Sequence, residues 1–390
     1  MTTMKRREFL RRCAQACAYA CAAGYGFGAL SPSRAAAQGG LSTLALREGP
    51  PSRRLSPYFS AAGGGEVECG LCPRGCVLAD GQRGVCRVRE NAGGKLYSLV
   101  YGNPCAVHID PIEKKPFFHV LPGTESFSIA TTGCNLDCKF CQNWEISQAA
   151  PEDAPYYDLP PERVAALAVE GGCRSVASTY VEPSIFMEYM IDVGAAARER
   201  GLLNVEHSNG YVAERPLKDL CKVLDAACVD LKGFTEAYYR EMTGGSLAPV
   251  LKTLTRLREA GVYIELVNLM IPGANDGDAD IRAMCRFIRD ELGPDTPLHF
   301  TRFYPMYKLR GLPPTPVETL DRARAAAMEE GLRFVYVGNV PGNPGENTSC
   351  PSCGALLIER RGYRTSLKEF RDGKCLKCGY VVPGIWTRGA

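Results

Sequence analysis

The chain has 390 residues, 45% of them apolar and 23% charged, with a formal net charge of +3. That composition excludes a disordered, collagen-like or coiled-coil protein and leaves room for two or three domains. Nineteen cysteines make up about 5% of the chain, below the roughly 8–10% of a disulfide scaffold. Where they fall therefore matters more than their total.

The first segment reads as an address. Lys5-Arg6-Arg7-Glu8-Phe9-Leu10 precedes an uncharged stretch from Cys13 to Leu30, then Ser31-Pro32-Ser33-Arg34-Ala35-Ala36-Ala37. A basic start, an apolar middle and a small-residue cleavage site describe a secretory signal over residues 1–37, and the paired arginines resemble a twin-arginine export signal. The expected location is periplasmic or on the outer face of a membrane, or cytoplasmic if the leader does not function. An uncleaved anchor is the alternative, and no stable membrane insertion is expected otherwise. Residues 1–37 hold six basic residues and one acid, so the rest of the chain is net −2. This removes the bulk electrostatic case for nucleic acid as a partner. Residues 38–65 are rich in Gly, Ser and Pro and read as a linker.

A Cys-rich module is expected over 66–120. Cys69, Cys72, Cys76 and Cys86 follow the asymmetric spacing C-x2-C-x3-C-x9-C. Thiolates this close converge on one soft metal, either zinc or an auxiliary iron–sulfur cluster. The surrounding glycines imply that the segment does not hold its fold without that metal.

From residue 121 to 340 strands and helices alternate. Strands are expected at 126–132, 175–179, 202–206, 228–231, 262–270, 298–303 and 333–337, with helices between them. That order predicts parallel strands in an α/β partial barrel, whose chemistry sits at the carboxyl ends of the strands. Directly after the first strand comes Thr131-Thr132-Gly133-Cys134-Asn135-Leu136-Asp137-Cys138-Lys139-Phe140-Cys141-Gln142-Asn143-Trp144. Three cysteines in C-x3-C-x2-C are one short of closing a 4Fe–4S cluster, which leaves one iron with an open position. The remaining segment, 341–390, holds Cys350, Cys353, Cys375 and Cys378. Two C-x2-C pairs 21 residues apart read as a zinc-ribbon-like module with a structural zinc, an auxiliary iron–sulfur cluster being the alternative.

C-x3-C-x2-C after the first strand, with Phe140 before the last cysteine, resembles the radical S-adenosylmethionine (SAM) signature. The resemblance implies a 4Fe–4S cluster on Cys134, Cys138 and Cys141. It also implies SAM bound at the open iron, and one-electron cleavage of SAM to a 5′-deoxyadenosyl radical that abstracts hydrogen from a substrate. It places further SAM contacts at strand ends. Glu182 stands where the family holds a Gly-Gly-Glu segment, without the two glycines; a helix-start glutamate is the alternative. Asn209 lies in a turn similar to the family's Thr-Asn-Gly. Asp230 and Lys232 are similar to the Asp-x-Lys of pyruvate formate-lyase-activating enzymes. Ile271 would pack on the adenine, and His299 would contact the SAM carboxylate or ribose unless it is a satisfied core histidine. Phe140 completes the expected cofactor-binding set.

A longer pattern runs from Cys69-Gly70-Leu71-Cys72-Pro73 through Asp110–Pro116 and Tyr336-Val337-Gly338-Asn339-Val340 into the ribbon. It resembles the radical SAM enzymes of the AmmeMemoRadiSam system, relatives of pyruvate formate-lyase-activating enzymes, over about residues 66–386. That resemblance implies Memo-like and AMMECR-like proteins as partners and a one-electron donor such as flavodoxin or ferredoxin. A glycyl-radical activase-like reaction is one outcome. The competing class is a non-catalytic iron–sulfur or zinc protein, an electron-transfer module or adaptor.

Overall fold

The structure, a computed structural model, describes residues 44–49 and 52–387. The expected leader, 1–37, lies outside the described residues. The cores of all seven expected strands form in one sheet, and an eighth joins them. In chain order they are β1 (Ala106–Pro111), β2 (Glu125–Ala130), β3 (Ser175–Ser178) and β4 (Leu203–Ser208). Then come β5 (Ala226–Asp230), β6 (Tyr263–Met270), β7 (Leu298–Arg302) and β8 (Val335–Gly338). They lie side by side in chain order. β2 to β8 pair in parallel, and β1 pairs antiparallel to β2. Among the described residues β1 and β8 do not pair with each other, so the sheet curves as a partial barrel with two edges.

The parallel strands read as near-continuous buried runs because both faces are covered: all four residues of β3 are buried. The crossover helices show why they dock. Leu247–Glu259 buries Leu247, Val250, Leu254 and Leu257, an i, i+3, i+7, i+10 stripe. β1 begins at Ala106, fifteen residues before the expected barrel boundary. Its alternating run, Val107-His108-Ile109-Asp110, is only four residues long and lies between Pro104 and Pro111, so it is a weak strand signal. Residues 54–63, expected as linker, contribute the strands Arg54–Leu55 and Phe59–Gly63. These pair into the small sheets of the Cys-rich module.

On the concave face, period-2 alternation stacks the side chains in layers. Ala177, Val205, Cys228 and Val267 pack with Ile112, Phe117, Val120 and Leu121, which plug the amino-terminal end of the barrel. Below them Glu265 accepts from the Phe118 and His119 amides at 3.0 and 2.8 Å. The carboxyl ends are left open to a cavity.

The carboxyl-terminal module docks beside this plug. Phe118, Phe334, Tyr336, Leu357, Ile358 and Phe370 form one buried cluster. Arg360, 3% exposed, donates to the Phe118 carbonyl at 2.8 Å and to Thr348 Oγ1 at 2.8 Å.

Candidate functional site

One cavity of about 440 Å³ opens at the carboxyl ends of the strands, within the size range of small-molecule sites. Cys134, Cys138, Cys141, Phe140, Glu182, Asn209, Asp230 and Lys232 all line it. Residues eighty and more apart in sequence thus meet because each ends a neighbouring strand.

The cysteine loop is held from several sides. Gly133 has φ +91°, and a Cβ there would stand 2.4 Å from the Cys86 carbonyl oxygen, so only glycine fits. Asp137 and Lys139 donate backbone bonds to the Thr243 and Met242 carbonyls. Arg74 Nε donates to the Asn135 carbonyl at 3.0 Å. Burial pushes the Cys134 thiol well up and the Cys138 thiol to about 12. Buried thiols of this kind ionise only against a cation, and a clustered iron core supplies one. The donor set and the open cavity therefore fit a three-cysteine cluster.

Around the thiols lies a charged lattice. Lys232 Nζ meets Asp230 Oδ2 at 2.8 Å and sits 5.8 Å from the Phe140 ring centre. His207 Nε2 shares a 2.9 Å hydrogen bond with Asp230 Oδ1. Burial alone would raise the Asp230 pKa, but Lys232 and then His207 outweigh it and hold the carboxyl well below the usual range. Burial would likewise lower Lys232, and Asp230 reverses that and keeps it charged. Glu182 caps the turn after β3. Its Oε1 accepts from the Ser184 amide at 3.0 Å and from Ser208 Oγ at 2.9 Å, and its Oε2 accepts from the Asn209 amide at 2.7 Å. Burial raises its pKa even so. Asn209 Nδ2 in turn donates to Asn135 Oδ1 at 2.9 Å, tying the β4 turn to the cysteine loop.

Two expected contacts are not brought to the cavity. His299 points inward from β7 but lies two residues before Thr301, which does line the cavity, so it sits roughly 6.7 Å deeper. It shares a 2.8 Å hydrogen bond with Glu265 and stacks on Tyr336; it is a satisfied core histidine. Ile271 is fully buried in the main core. The turn after β6, pinned by Asn275 Oδ1 accepting from the Ile271 amide at 2.7 Å, carries it away from the opening. Val267 and Leu269 line the cavity instead.

Other residues complete the site without having been anticipated. Lys114, Asn143, Tyr180, His207 and Tyr363 reach the cavity. Asp110 accepts from Lys115 Nζ at 2.5 Å, from Lys114 Nζ at 2.8 Å and from the Tyr180 hydroxyl. Burial pushes the Lys115 ammonium down to about 8 despite its pairing with Asp110. Tyr180 has φ +67°, and Asn143 Nδ2 donates to its carbonyl at 2.6 Å. A bulky side chain in that region marks a strained backbone corner, held by the Asn143 bond. The inward parity of His207, one strand over from Asp230, was the signal that could have revealed it.

Cys350, Cys353, Cys375 and Cys378 form a separate group. Among the described residues theirs are the one set of Cys, His, Asp or Glu ligand atoms that all lie within 4.8 Å of one another. Cys350 and Cys378 sulfurs are 3.5 Å apart, and Cys353 and Cys375 sulfurs 3.7 Å apart. Tetrahedral zinc with bonds of about 2.3 Å sets its sulfurs about 3.8 Å apart, so this group fits one metal ion.

Three thiols and an Asp-Lys pair thus meet at an open cavity on the strand ends, and residues 128–288 match the radical SAM superfamily, so the chain carries a radical SAM domain. The chain belongs to one family with an uncharacterized protein, MJ0808, of Methanocaldococcus jannaschii. The two are 44% identical over 331 residues, covering 84% of this chain and 98% of that one. Pyruvate formate-lyase-activating enzyme of Streptococcus mutans is 22% identical over 42% of this chain and 65% of its own length. Benzylsuccinate synthase activating enzyme of Thauera aromatica is 23% identical over 41% and 53%. A solved radical SAM methyltransferase from Sphaerobacter thermophilus superposes with a TM-score of 0.45 at 14% identity, covering 84% of this chain and 86% of that one.

Proposed function

We propose that this protein is a radical SAM enzyme of the activating-enzyme type that serves in an AmmeMemoRadiSam system. The carrying observation is the cavity itself: Cys134, Cys138 and Cys141 share it with Asp230, Lys232, Asn209 and Glu182 at four successive strand ends. A three-cysteine 4Fe–4S cluster, when bound, supplies an open iron for SAM and one electron for its cleavage to a 5′-deoxyadenosyl radical. The chain's own residues do the rest. Lys232 offers an ammonium and Asp230 a carboxylate, matched to the carboxylate and amine of an amino-acid moiety. Asn209 and Glu182 set the turn that faces the thiol loop. Lys114 and Tyr180 present a cationic and a hydroxyl group for the second substrate, a protein or small molecule. A flavodoxin- or ferredoxin-like donor supplies the electron, and Memo-like and AMMECR-like proteins are the proposed partners. The leader would deliver the loaded protein outside the cytoplasm. No helix among the described residues is long and apolar enough to cross a membrane.

The deciding experiment is anaerobic incubation of the iron-loaded protein with SAM and a strong reductant. Release of 5′-deoxyadenosine is expected, with a loss of at least 100-fold in Cys138→Ala. Equal release by that variant would sink the reading.

A further inference from the structure

Cys69, Cys72, Cys76 and Cys86 share one C-x2-C with the ribbon, but neither its second pair nor its geometry. All four line one small void of about 10 Å³, together with Leu71, Gly84 and Arg89. That is room for about one water-sized sphere. A tetrahedral zinc site cannot enclose such a void. Its sulfurs stand about 2.3 Å from the centre, whereas a sphere of ~1.4 Å radius keeps its centre roughly 3.2 Å from any sulfur. Among the described residues these four ligand atoms do not form a group within 4.8 Å, and no pair of them makes a sulfur–sulfur contact like the two in the ribbon. The four thiols therefore surround a space instead of converging on a point.

The site is also built. Cys69 and Cys86 are buried. The Cys69 amide donates to the Cys76 carbonyl at 2.9 Å, closing the hairpin between the first and third ligands. Arg89, with 0% exposure, forms part of the wall. Its guanidinium is gripped by Glu188 through two 2.6 Å bonds and by the Ile185 carbonyl at 3.0 and 2.7 Å.

We infer that Cys69, Cys72, Cys76 and Cys86 hold a second, fully protein-ligated 4Fe–4S cluster and not a zinc ion. A cubane carries its four thiolates on separate corners and fills the space between them. Asn135 lines this void, and the Cys86 carbonyl packs on Gly133. The second cluster is thus one residue of chain from Cys134. The inference stands on the quartet alone and does not depend on SAM cleavage at the central site.

The test uses full-length protein isolated anaerobically from cells, without added iron. A variant with Cys134, Cys138 and Cys141 all changed to alanine should retain about four irons and four sulfides per chain, with the Mössbauer signature of a four-iron cluster. Cys69→Ala/Cys72→Ala should lose that iron and keep the central iron. If the triple variant instead held no iron and one zinc beyond that of the ribbon, the inference would be overturned. Should either variant fail to fold, wild-type protein decides. About eight irons and one zinc support a second cluster, and about four irons with two zincs refute it. Failure of SAM cleavage in a wild-type protein holding about eight irons would count against the proposed activity and leave this inference standing.

Discussion

The carboxyl-terminal ribbon and the amino-terminal quartet each use four cysteines, and both include C-x2-C, yet the fold treats them in opposite ways. In the ribbon two equal knuckles turn through Gly354 and Gly379, at φ +73° and +77°. The Gly354 and Gly379 amides donate back to the carbonyls of Cys350 and Cys375 at 2.9 Å. The knuckles bring sulfurs to within 3.5 and 3.7 Å, and Cys353 and Cys378 face solvent. In the quartet the ligands come from a hairpin and a separate loop, the sulfurs stand apart, and the wall is anchored to a barrel helix through Arg89 and Glu188. The ribbon's metal site is therefore a local device, whereas the quartet is built into the barrel. A shared C-x2-C does not fix how sulfurs sit in space; the placement of the other two cysteines, a second knuckle in the ribbon and a hairpin and loop in the quartet, does.

The comparison can be broken most forcefully at the ribbon. Cys375→Ser should remove its metal, which contributes on the order of 10 kcal/mol to folds of this kind. The ribbon should become protease-sensitive beyond residue 341 while iron content is unchanged. Equal iron loss would show that the ribbon is no local device. On the quartet side, Arg89→Met leaves Glu188 buried and unpaired, at a cost of about 3–5 kcal/mol. Urea unfolding should show that loss, with early release of iron from the quartet.

A smaller effect comes from pH. His119 is buried in the ribbon dock, bonded to the Pro383 carbonyl at 2.8 Å and the Tyr336 hydroxyl at 2.6 Å. Burial pushes its imidazole down to about 4. The unfolded chain takes up that proton near pH 6.5, so the folded state is favoured fully above 6.5 and loses stability as the pH falls to 4. The loss is about 3 kcal/mol. His119→Gln should flatten that part of a stability–pH curve; an unchanged slope would rule out this histidine as its source. The smallest effect is expected for Thr365→Val, which strips a 2.7 Å hydrogen bond from buried Glu113. A destabilisation of about 1–3 kcal/mol is expected, read as a lower melting temperature.

Much of this architecture was legible in the sequence. Glycine- and proline-bounded apolar runs located the parallel strands, and the position of Cys134 to Cys141 after the first of them located the site. Asp230 and Lys232 were visible through their similarity to the Asp-x-Lys of activating enzymes, strengthened by their place at a strand end. What escaped was depth. His299 and Thr301 share one parity on one strand, and only the plug beneath the barrel decides which of them meets solvent. β1 escaped because its alternating run is only four residues long and is bounded by Pro104 and Pro111. Lys114, Lys115 and Tyr180 escaped because their meeting point is Asp110, some seventy residues of chain before Tyr180, on that unanticipated strand.

Two contacts of the carboxyl-terminal module also bear on how the molecule comes into being. Arg360 bonds the Phe118 carbonyl and Thr365 bonds Glu113, closures that span 242 and 252 residues. Such long closures form late. During synthesis the barrel strands emerge first, with Glu113 and the Phe118 carbonyl still lacking these partners. They gain them only when the final segment arrives, and that same segment brings Tyr363 to the mouth of the cavity. A chain that stopped before residue 341 would therefore carry the strand-end residues of the barrel yet lack a finished mouth, so completion of the cavity waits for the ribbon segment.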